Sequence, residues 1–442
     1  MIRIIPAESH EPIFKNPGKG FVIYGEPDIS DLTEITPEEL SLGSVLYHRW
    51  MWSDMEPGEN TFCFEKLERD IDFALKHGMK YAFGILNASF DFCPEDGYAV
   101  PKWVFDAGAR YYEVTDSRGV INRIPYWENN PIFLDKHNEF LKKLAKRYDG
   151  DPRVAFIDVR NYGNWGENHI GLINKSDGGE DIPEISADTL ETYYYAPYLS
   201  YFKKTQLIIP FGQRAHQEAY ERAVAQGVGM RRDGIPDWDD GGDIAFVGGR
   251  APTITEYTAT LKELVGNNVW DDENVYAAIL KANASYTEIS RGTGRRGQLN
   301  FIREKRALME RLCNRIGYHF VLRLLEIETD SSELTAGTDI PIRMTWENKG
   351  VAPLFGESCY PAMALIDGAG EVVEICLLPD MDVHSLKPGI TEIQSTLHFG
   401  ENGIYNLAVG MLLSENDMIP AYRLGMADER NGWYTLCEIN YG

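Results

Sequence analysis

The 442-residue chain lacks the features of a disulfide-stabilised, zinc-binding or membrane-spanning protein. Its six cysteines are scattered, without the paired spacing of a zinc site or a disulfide framework. No apolar run approaches the roughly 20 residues that a membrane-spanning helix needs. The first residues also lack the basic and apolar regions of a signal peptide. We therefore expect a folded cytoplasmic protein with reduced thiols.

Positive charge is scarce relative to negative charge. The chain has 43 Lys and Arg against 68 Asp and Glu, which gives a formal net charge of −25. Such a field repels nucleic acid and anionic membranes, so we expect neither as a partner. It suits a neutral substrate, although its main effect is on solubility.

Several motifs of cofactor-dependent and covalent catalysis are missing. No GxGxxG or Walker sequence follows the first predicted strand, which argues against dinucleotide and P-loop nucleotide sites. No GxSxG, HxH or HExxH occurs. His48, His169 and His216 are too dispersed to indicate a metal site. We therefore expect no cofactor and no metal.

Strands and amphipathic helices alternate from about residue 40 to about residue 320. Phe64–His77 and Phe133–Tyr148 carry the apolar stripes of helices. About eight strand–helix units favour a closed (β/α)8 TIM barrel over an open sheet, and we assign this domain to residues 1–320. The strand candidates are Ser44–His48, Lys80–Leu86, Val154–Val159, Leu207–Pro210, Val228–Arg231, Thr253–Glu256 and Ala284–Ile289.

The pattern changes after Tyr318. Short stretches such as Val321–Glu328 and Ile340–Glu347 alternate in the manner of strands, and turn residues separate them every ten or so positions. This pattern predicts an immunoglobulin-like all-β sandwich over residues 321–442. The oligomeric state stays open, and a homo-oligomer is compatible with this architecture.

In a TIM barrel the active site lies at the C-terminal ends of the strands. The residues that follow the predicted strands are rich in Asn, Arg, Trp and carboxylates. Aromatic faces pack on sugar rings, and such polar groups bind vicinal hydroxyls, so the mixture indicates a carbohydrate substrate. The candidates for substrate binding are His48, Arg49, Trp50, Asn87, Asn164, Trp165, Gln213, Arg231, Asp233 and Trp238.

Glycoside cleavage needs two carboxyl groups, about 5–5.5 Å apart for retention and about 6.5–9.5 Å apart for inversion. Glu167 follows Val154–Val159, taken as the fourth of the eight strands, and Glu256 ends Thr253–Glu256, taken as the seventh, so they would face each other across the barrel mouth. Glu256 could equally begin a helix that Thr255 caps. Asp233 and Glu288 stay open as alternative partners of Glu167.

Short motifs are dispersed along most of the chain. They are Asn16–Phe21, Arg49-Trp50 followed by Glu56–Glu59, Phe73–Lys80, Gly163–Glu167, Arg231–Gly234, Gly317-Tyr318 and Met344–Pro353. These motifs resemble those of a group of barrel-plus-sandwich proteins related to the β-galactosidase-type glycoside hydrolases of clan A. The resemblance implies a retaining mechanism with Glu167 as acid/base and Glu256 as nucleophile. Those hydrolases carry Asn directly before the acid/base, whereas this chain has Gly166.

Residues and resemblance together predict a retaining glycoside hydrolase that cleaves a neutral oligosaccharide or glycoside. Two alternatives remain. One is a non-catalytic carbohydrate-binding protein that has kept the barrel and lost one carboxylate. The other is a lyase or transglycosylase on the same scaffold.

Overall fold

The computed structural model describes residues 1–25, 35–289, 301–329 and 333–442. They form two compact units. One comprises Phe21–Ala282 and Tyr286–Lys305, and the other comprises Met1–Gly20, Asn283–Ser285 and Arg306–Gly442. The second unit thus includes residues on both sides of the boundary predicted at residues 320 and 321, and that boundary stays a prediction.

The strands are numbered in chain order. They are β1 Ile2–Ile4, β2 Gly20–Tyr24, β3 Gly43–Met51, β4 Lys80–Leu86, β5 Tyr111–Thr115, β6 Ile121–Pro125, β7 Val154–Asp158, β8 Leu207–Pro210, β9 Gly229–Ile235, β10 Thr253–Tyr257, β11 Tyr286–Glu288, β12 Phe320–Ile327, β13 Glu333–Leu334, β14 Ile340–Asn348, β15 Tyr360–Ile366, β16 Val372–Leu377, β17 Gly389–Leu397, β18 Gly403–Leu412, β19 Glu429–Arg430 and β20 Trp433–Tyr441.

The main α-helices are found between the barrel strands. Helix Glu65–Lys76 buries Leu67, Ile71 and Ala74, as its predicted stripe requires. Within the described ranges, no helix combines the length and apolar character needed to cross a bilayer. The α-helices are Pro37–Leu40, Trp52–Met55, Glu65–Lys76, Lys102–Asp106, Pro131–Tyr148, Ala187–Leu190, Ala196–Tyr201, Gln217–Ala225, Leu261–Gly266, Asp272–Lys281 and Arg306–Cys313.

Eight strands close into a parallel barrel in the order β2, β3, β4, β7, β8, β9, β10, β11. This confirms the predicted (β/α)8 fold. The alternation pattern missed β2, because all five of its residues are buried and no polar residue interrupts them. The two predicted strands that came first are therefore the second and third of the barrel, while Val154–Asp158 is the fourth. The antiparallel hairpin of β5 and β6 was not predicted.

Alternation along the barrel strands changes the interior from apolar to polar. Phe156 and Ile254 belong to a core inside the barrel, together with Val22, Val45 and Ile208. Successive side chains of a strand point to opposite faces, so residues two positions further on share the interior. On β7 and β10 these residues are Asp158 and Glu256, both buried. The C-terminal end of the barrel is thereby lined with charged groups.

In the second unit, two sheets form a β-sandwich, as predicted for the C-terminal part of the chain, and their strands are antiparallel except for the parallel pair β13 and β20. One sheet has the order β1, β12, β14, β17, and the other has β13, β20, β18, β15, β16 with β19 beside β20. Side chains from both sheets share one core, which includes Met344 and Trp346 from the first and Leu365, Leu407 and Val409 from the second.

Two motifs of the resemblance meet in this second unit. Lys19 is buried, and its Nζ donates to the carbonyl oxygens of Cys313 at 2.8 Å and Tyr318 at 2.7 Å. Burial lowers the pKa of Lys19 to about 7. The Tyr318 hydroxyl in turn donates to the carbonyl of Pro17 at 2.7 Å. Residues 16–20 and Gly317-Tyr318 therefore fix the course of the chain within this unit.

The apolar layer inside the barrel supports the charged layer above it. Phe156 is 1% exposed, so we expect Phe156→Ala to lower the free energy of unfolding by about 3–5 kcal/mol through lost burial and a cavity. Urea denaturation followed by far-UV circular dichroism measures this change. Phe92→Ala is the control, since Phe92 is 58% exposed and its truncation should leave stability nearly unchanged. Equal losses in both variants would contradict a packed interior at Phe156.

Candidate active site

Arg160 lies at the centre of a buried cluster of charges at the C-terminal end of the barrel. Its Nε donates to Asp158 Oδ2 at 3.1 Å, and its Nη1 donates to Glu167 Oε1 at 3.1 Å. Its Nη2 donates to Glu256 Oε1 at 3.0 Å. One fully buried guanidinium therefore contacts three carboxylates from three different parts of the chain.

A second arginine, which lies on β9, completes the cluster. Arg231 Nη1 donates to Glu256 Oε1 at 2.7 Å, and its Nε lies 2.7 Å from Asp158 Oδ2. The Tyr47 hydroxyl donates to the same Asp158 oxygen at 2.6 Å. Asp158 is thus held by two arginines and a phenol, and Glu256 is held by both arginines.

Burial and neighbouring charges shift the pKa values of these groups in opposite directions. Burial raises the pKa of Tyr47 well above its usual range, so the phenol keeps its proton and can donate. Burial opposes the charge on Arg160 and Arg231, but nearby groups, including Asp158 and Glu256, hold the pKa of both arginines above the usual value. Both guanidiniums stay charged and lie beside the carboxylates as counter-charges.

A tight loop after β7 brings Glu167 to the cluster. A 3₁₀ turn covers Asn164–Gly166, and Trp165 and Gly166 have φ values of 53° and 65°. A Cβ atom at residue 166 would lie 2.3 Å from the carbonyl oxygen of Arg160. Only glycine fits this combination of left-handed backbone and close approach. The loop therefore requires Gly166 where the clan-A hydrolases carry Asn.

Glu167 also contacts two groups outside the arginine pair. Arg49 Nη1 lies 3.5 Å from its Oε1, and His169 Nε2 lies 3.5 Å from its Oε2. His169 Nδ1 accepts the backbone N–H of Gly171 at 3.1 Å. A neutral His169 therefore carries its proton on Nε2, facing the carboxylate.

These groups surround a cavity of about 230 Å³. Oxygens of Glu167, Asp233 and Glu256 lie within 4.8 Å of one another there. The lining residues are Arg160, Glu167, His169, Pro210, Phe211, Gly212, Arg231, Arg232, Asp233, Trp238 and Glu256. We call it the central cavity.

The carboxylate trio is close enough to hold a cation, but its surroundings oppose one. Arg160 already contacts Glu167 and Glu256, and Arg231 contacts Glu256 again. Two fixed positive charges repel a third beside them. This donor set does not fit a metal site.

Several of the predicted site residues meet at the central cavity. Glu167, Glu256, Arg231, Asp233 and Trp238 all line it, and Trp238 is 61% exposed. Glu256 belongs to β10, so the interpretation of this segment as a capped helix start is wrong.

His48 and Trp50 point away from the central cavity. Strand alternation places both on the outer face of β3, where His48 Nδ1 pairs with Asp70 Oδ2 of helix Glu65–Lys76 at 2.9 Å. Trp50 stacks on His48 with ring centroids 3.9 Å apart and donates its indole N–H to Tyr81. Their assignment to substrate binding stays a prediction, but their contacts are those of strand–helix packing.

Asn87 and Asn164 are buried in the loop scaffold. Asn87 Nδ2 donates to the carbonyl of Asn161 at 2.9 Å. Asn164 Nδ2 donates to the carbonyl of Gly171, and its Oδ1 accepts the backbone N–H of Phe90. Their role in sugar binding stays a prediction, and the observed contacts shape the loop that carries Glu167.

Trp165, Gln213 and Glu288, three further candidates, each form a hydrogen bond within the protein. The Trp165 indole N–H donates to the carbonyl of Phe90 at 2.9 Å, and Gln213 Nε2 donates to Glu184 at 2.7 Å. Glu288 accepts the backbone N–H of Tyr257. That contact uses one carboxylate oxygen of Glu288 to fix the end of β10.

The motifs gave no site role to Asp158, Arg160, Tyr47 or His169. Strand periodicity could have found the first three. Tyr47 and Arg49 share the inner face of β3, and Asp158 continues the inner face of β7. Nothing in the sequence pattern pointed to His169, because the tight loop, and not strand register, brings it beside Glu167.

Comparison with protein families supports a glycosidase. The family model glycoside hydrolase 42, described as β-galactosidase, matches residues 31–169, which is less than half of the chain. The matched range includes Arg49, Arg160 and Glu167, and it confirms the resemblance drawn from the motifs. A comparison with curated proteins gave no match.

Solved structures similar to this chain include three glycoside hydrolases. A GH30 endoxylanase from Clostridium papyrosolvens C71 is 10% identical with a TM-score of 0.45, covering 90% of this chain and 97% of its own. A β-galactosidase from Rahnella sp. R3 is 13% identical with a TM-score of 0.43, covering 70% and 57%. Endo-glycoceramidase II from Rhodococcus sp. is 13% identical with a TM-score of 0.41, covering 86% and 98%.

The buried cluster should depend strongly on each of its charges. We expect Asp158→Asn to lower the free energy of unfolding by about 3–5 kcal/mol, because it leaves Arg160 and Arg231 short of one counter-charge. Thermal and urea unfolding measure the loss. Asp188→Asn is the matched control: this carboxylate also pairs with an arginine, Arg222, but its side chain is 92% exposed. A stable Asp158→Asn variant would show that the two arginines do not need this carboxylate.

Proposed function

We propose that the chain is a retaining glycoside hydrolase that acts on a neutral oligosaccharide or glycoside. One observation carries the proposal: Glu167 and Glu256 present oxygens within 4.8 Å of each other on the central cavity. This spacing is close to the roughly 5–5.5 Å of retaining enzymes and well below the roughly 6.5–9.5 Å of inverting ones.

Glu256 is the nucleophile in this proposal. It lies at the end of a barrel strand, where catalytic groups of TIM barrels are found. Arg160 and Arg231 both donate to its Oε1, which supports an ionised carboxylate. Attack on the anomeric carbon forms a glycosyl ester at Glu256 while the bond to the leaving oxygen breaks.

Glu167 is the acid/base. In the first step it gives a proton to the leaving oxygen, and in the second it takes one from the water that hydrolyses the ester. Arg160 contacts both carboxylates. When Glu256 becomes an ester it loses its negative charge, so the charge of Arg160 is then shared between Asp158 and Glu167 alone and acts more strongly on Glu167. This favours the ionised, proton-accepting form that the second step requires.

Asp233, Arg49 and Trp238 are the proposed substrate-binding groups. Asp233 presents a carboxylate oxygen to the central cavity, and Arg49 lies beside Glu167. Trp238 offers an exposed aromatic face at the cavity. A sugar ring has hydroxyls for the first two and C–H faces for the third.

A non-catalytic carbohydrate-binding barrel is the second candidate. Arg49 and Arg160 both approach Glu167 in the free protein, which favours a carboxylate and not the protonated acid of the first step. Titration calorimetry with lactose, cellobiose and xylobiose, combined with product chromatography, separates the two functions. Saturable binding without turnover would favour this candidate, and an unsaturated product would indicate a lyase.

Substitution of Glu256 and of Glu167 should differ in how strongly its effect on kcat/KM depends on the leaving group. We expect Glu256→Gln to lower kcat/KM for both 4-nitrophenyl and 2,4-dinitrophenyl glycosides by at least about 10³-fold, since nothing replaces the nucleophile. Glu167→Gln should lower the 4-nitrophenyl rate by about 10²–10⁴-fold and the dinitrophenyl rate much less, because the better leaving group needs little acid.

Steady-state kinetics on a panel of β-galactosides, β-glucosides and β-xylosides gives these ratios. Glu218→Gln, whose side chain is 83% exposed, controls for the loss of a carboxylate. Equal losses on both leaving groups in Glu167→Gln would argue against an acid role for that residue.

Retention should also be visible in the first product. We expect ¹H NMR of an early time point to show the sugar released with the anomeric configuration of the substrate. A 2-deoxy-2-fluoro glycoside should label one peptide, and mass spectrometry should find the label on Glu256. An inverted product would remove the nucleophile role of Glu256, and a label on Asp233 would transfer it.

A further inference from the structure

We propose a second sugar-binding subsite next to the central cavity, for the ring on the leaving-group side of the cleaved bond. Its lining residues are Phe211, Arg214, Gln217, Asp243 and Phe246. The inference rests on the proposed function, and it goes further by specifying a substrate whose leaving group is itself a sugar.

The subsite is a cavity of about 330 Å³ between the segments that follow β8 and β9. We call it the outer cavity. Phe211 lines both the central and the outer cavity. A smaller cavity of about 260 Å³ lies alongside and shares Trp238 with the central cavity and Arg214 and Asp243 with the outer one. The shared lining residues place the three cavities side by side.

The central cavity alone is small for a ligand of two rings. Small-molecule sites commonly measure about 300–1,000 Å³, and the central cavity measures only about 230 Å³. Its inner wall is closed by Arg160, Arg231 and Glu256, which are at most 1% exposed. The second ring of such a ligand therefore needs space outside the central cavity, and Phe211 and Trp238 are lining residues that this cavity shares with its two neighbours.

The outer cavity has the mixed character that a sugar ring needs. Phe211 and Phe246 supply aromatic surface, while Arg214, Gln217 and Asp243 supply hydrogen-bonding groups. An apolar leaving group would gain little from three polar side chains and would force their desolvation. The lining thus favours a sugar over an alkyl or aryl group.

Successive side-chain contacts connect the lining of the outer cavity to that of the central cavity. Asp243 Oδ1 accepts Arg214 Nη2 at 2.6 Å, and its Oδ2 accepts Arg232 Nε and Nη2 at 3.0 and 2.7 Å. Arg232 lines the central cavity and lies over the Phe211 ring at 5.2 Å. Arg214 is thereby oriented although its side chain is 83% exposed.

The position of Glu167 assigns the outer cavity to the leaving group. A Cβ atom at Gly212 would lie 2.1 Å from the carbonyl oxygen of Glu167, so the segment from Phe211 to Gln217 starts directly against the backbone of the acid/base. Glu167 and Phe211 both line the central cavity, and Phe211 also lines the outer one. Glu167 protonates the leaving oxygen in the proposed mechanism, so we assign the outer cavity to the ring attached to that oxygen.

The test compares two substrates that share a glycon. Lactose places a sugar in the outer cavity, whereas β-galactosyl fluoride has a leaving group too small to reach it. We expect Arg214→Ala to lower the ratio of kcat/KM for lactose to that for the fluoride by about tenfold or more, through lost hydrogen bonds from a charged donor. Cellobiose and β-glucosyl fluoride serve as a second pair.

Arg222→Ala is the matched control. Arg222 also belongs to an exposed ion pair on the next helix, but it lines none of the three cavities. In Arg222→Ala, the ratio of kcat/KM for lactose to that for β-galactosyl fluoride should stay at the wild-type value. An unchanged ratio in Arg214→Ala, or an equal fall in Arg222→Ala, would overturn the subsite. If octyl glucoside is preferred over cellobiose and Phe246→Ala alone weakens that preference, the occupant is apolar and the sugar assignment is wrong.

A readout without turnover separates this inference from the proposed function. If the wild-type protein hydrolyses no glycosyl fluoride or aryl glycoside, the proposed function fails. Saturation-transfer NMR with lactose and cellobiose then tests the subsite alone. We expect transfer to both rings in the wild type and in Arg222→Ala, and a selective loss at the reducing-end ring in Arg214→Ala. Transfer to one ring only in the wild type would overturn the subsite.

Discussion

The contact of Arg160 with Asp158, Glu167 and Glu256 is the constraint on which the rest of the site depends. Taking charges out of water is costly, and the cost is offset only when each has well-placed partners. The partners here come from β7, from the loop after it and from β10. Only a closed barrel brings these three positions together, so the fold and the charge cluster require each other. The strand register that fills the interior with Phe156 also places Asp158 beneath Arg160.

Two residues of the loop that carries Glu167 have unfavourable backbone conformations. Trp165 and Asn168 have φ values of 53° and 57°, which side-chain-bearing residues seldom adopt. Such positions cost energy and persist where the surroundings hold them, often at functional sites. Asn164 supplies part of that support by hydrogen bonds within the loop. The departure at Gly166 is then a packing requirement: the chain runs so close to the backbone of Arg160 that no side chain fits.

Much of this could be predicted from the sequence, because strand alternation and carboxylate position depend on local pattern. Seven barrel strands and the location of Glu167 and Glu256 at strand ends follow from such patterns. The face of a strand on which an individual side chain lies was harder to predict. His48, Arg49 and Trp50 are consecutive and equally suited to sugars, but only Arg49 faces inward, and this depends on a register that composition does not reveal. His169 depends on a loop whose course is set by tertiary contacts, and β2 lacked any polar residue to mark its period.

Charge balance links the geometry to the proposed chemistry. Arg49, Arg160 and Arg231 stand against Asp158, Glu167 and Glu256, with Asp233 adding one carboxylate at the cavity. A neutral sugar leaves this balance unchanged on binding, which agrees with a chain of net charge −25 that would repel an anionic substrate. In the proposed mechanism, esterification of Glu256 alters this balance, because it removes one negative charge from beside Arg160 and Arg231. Arg160 contacts both carboxylates, so the loss of charge at Glu256 strengthens the preference of Glu167 for its ionised form. In this way a buried arginine that stabilises the free protein also relates the protonation of one carboxylate to the covalent state of the other.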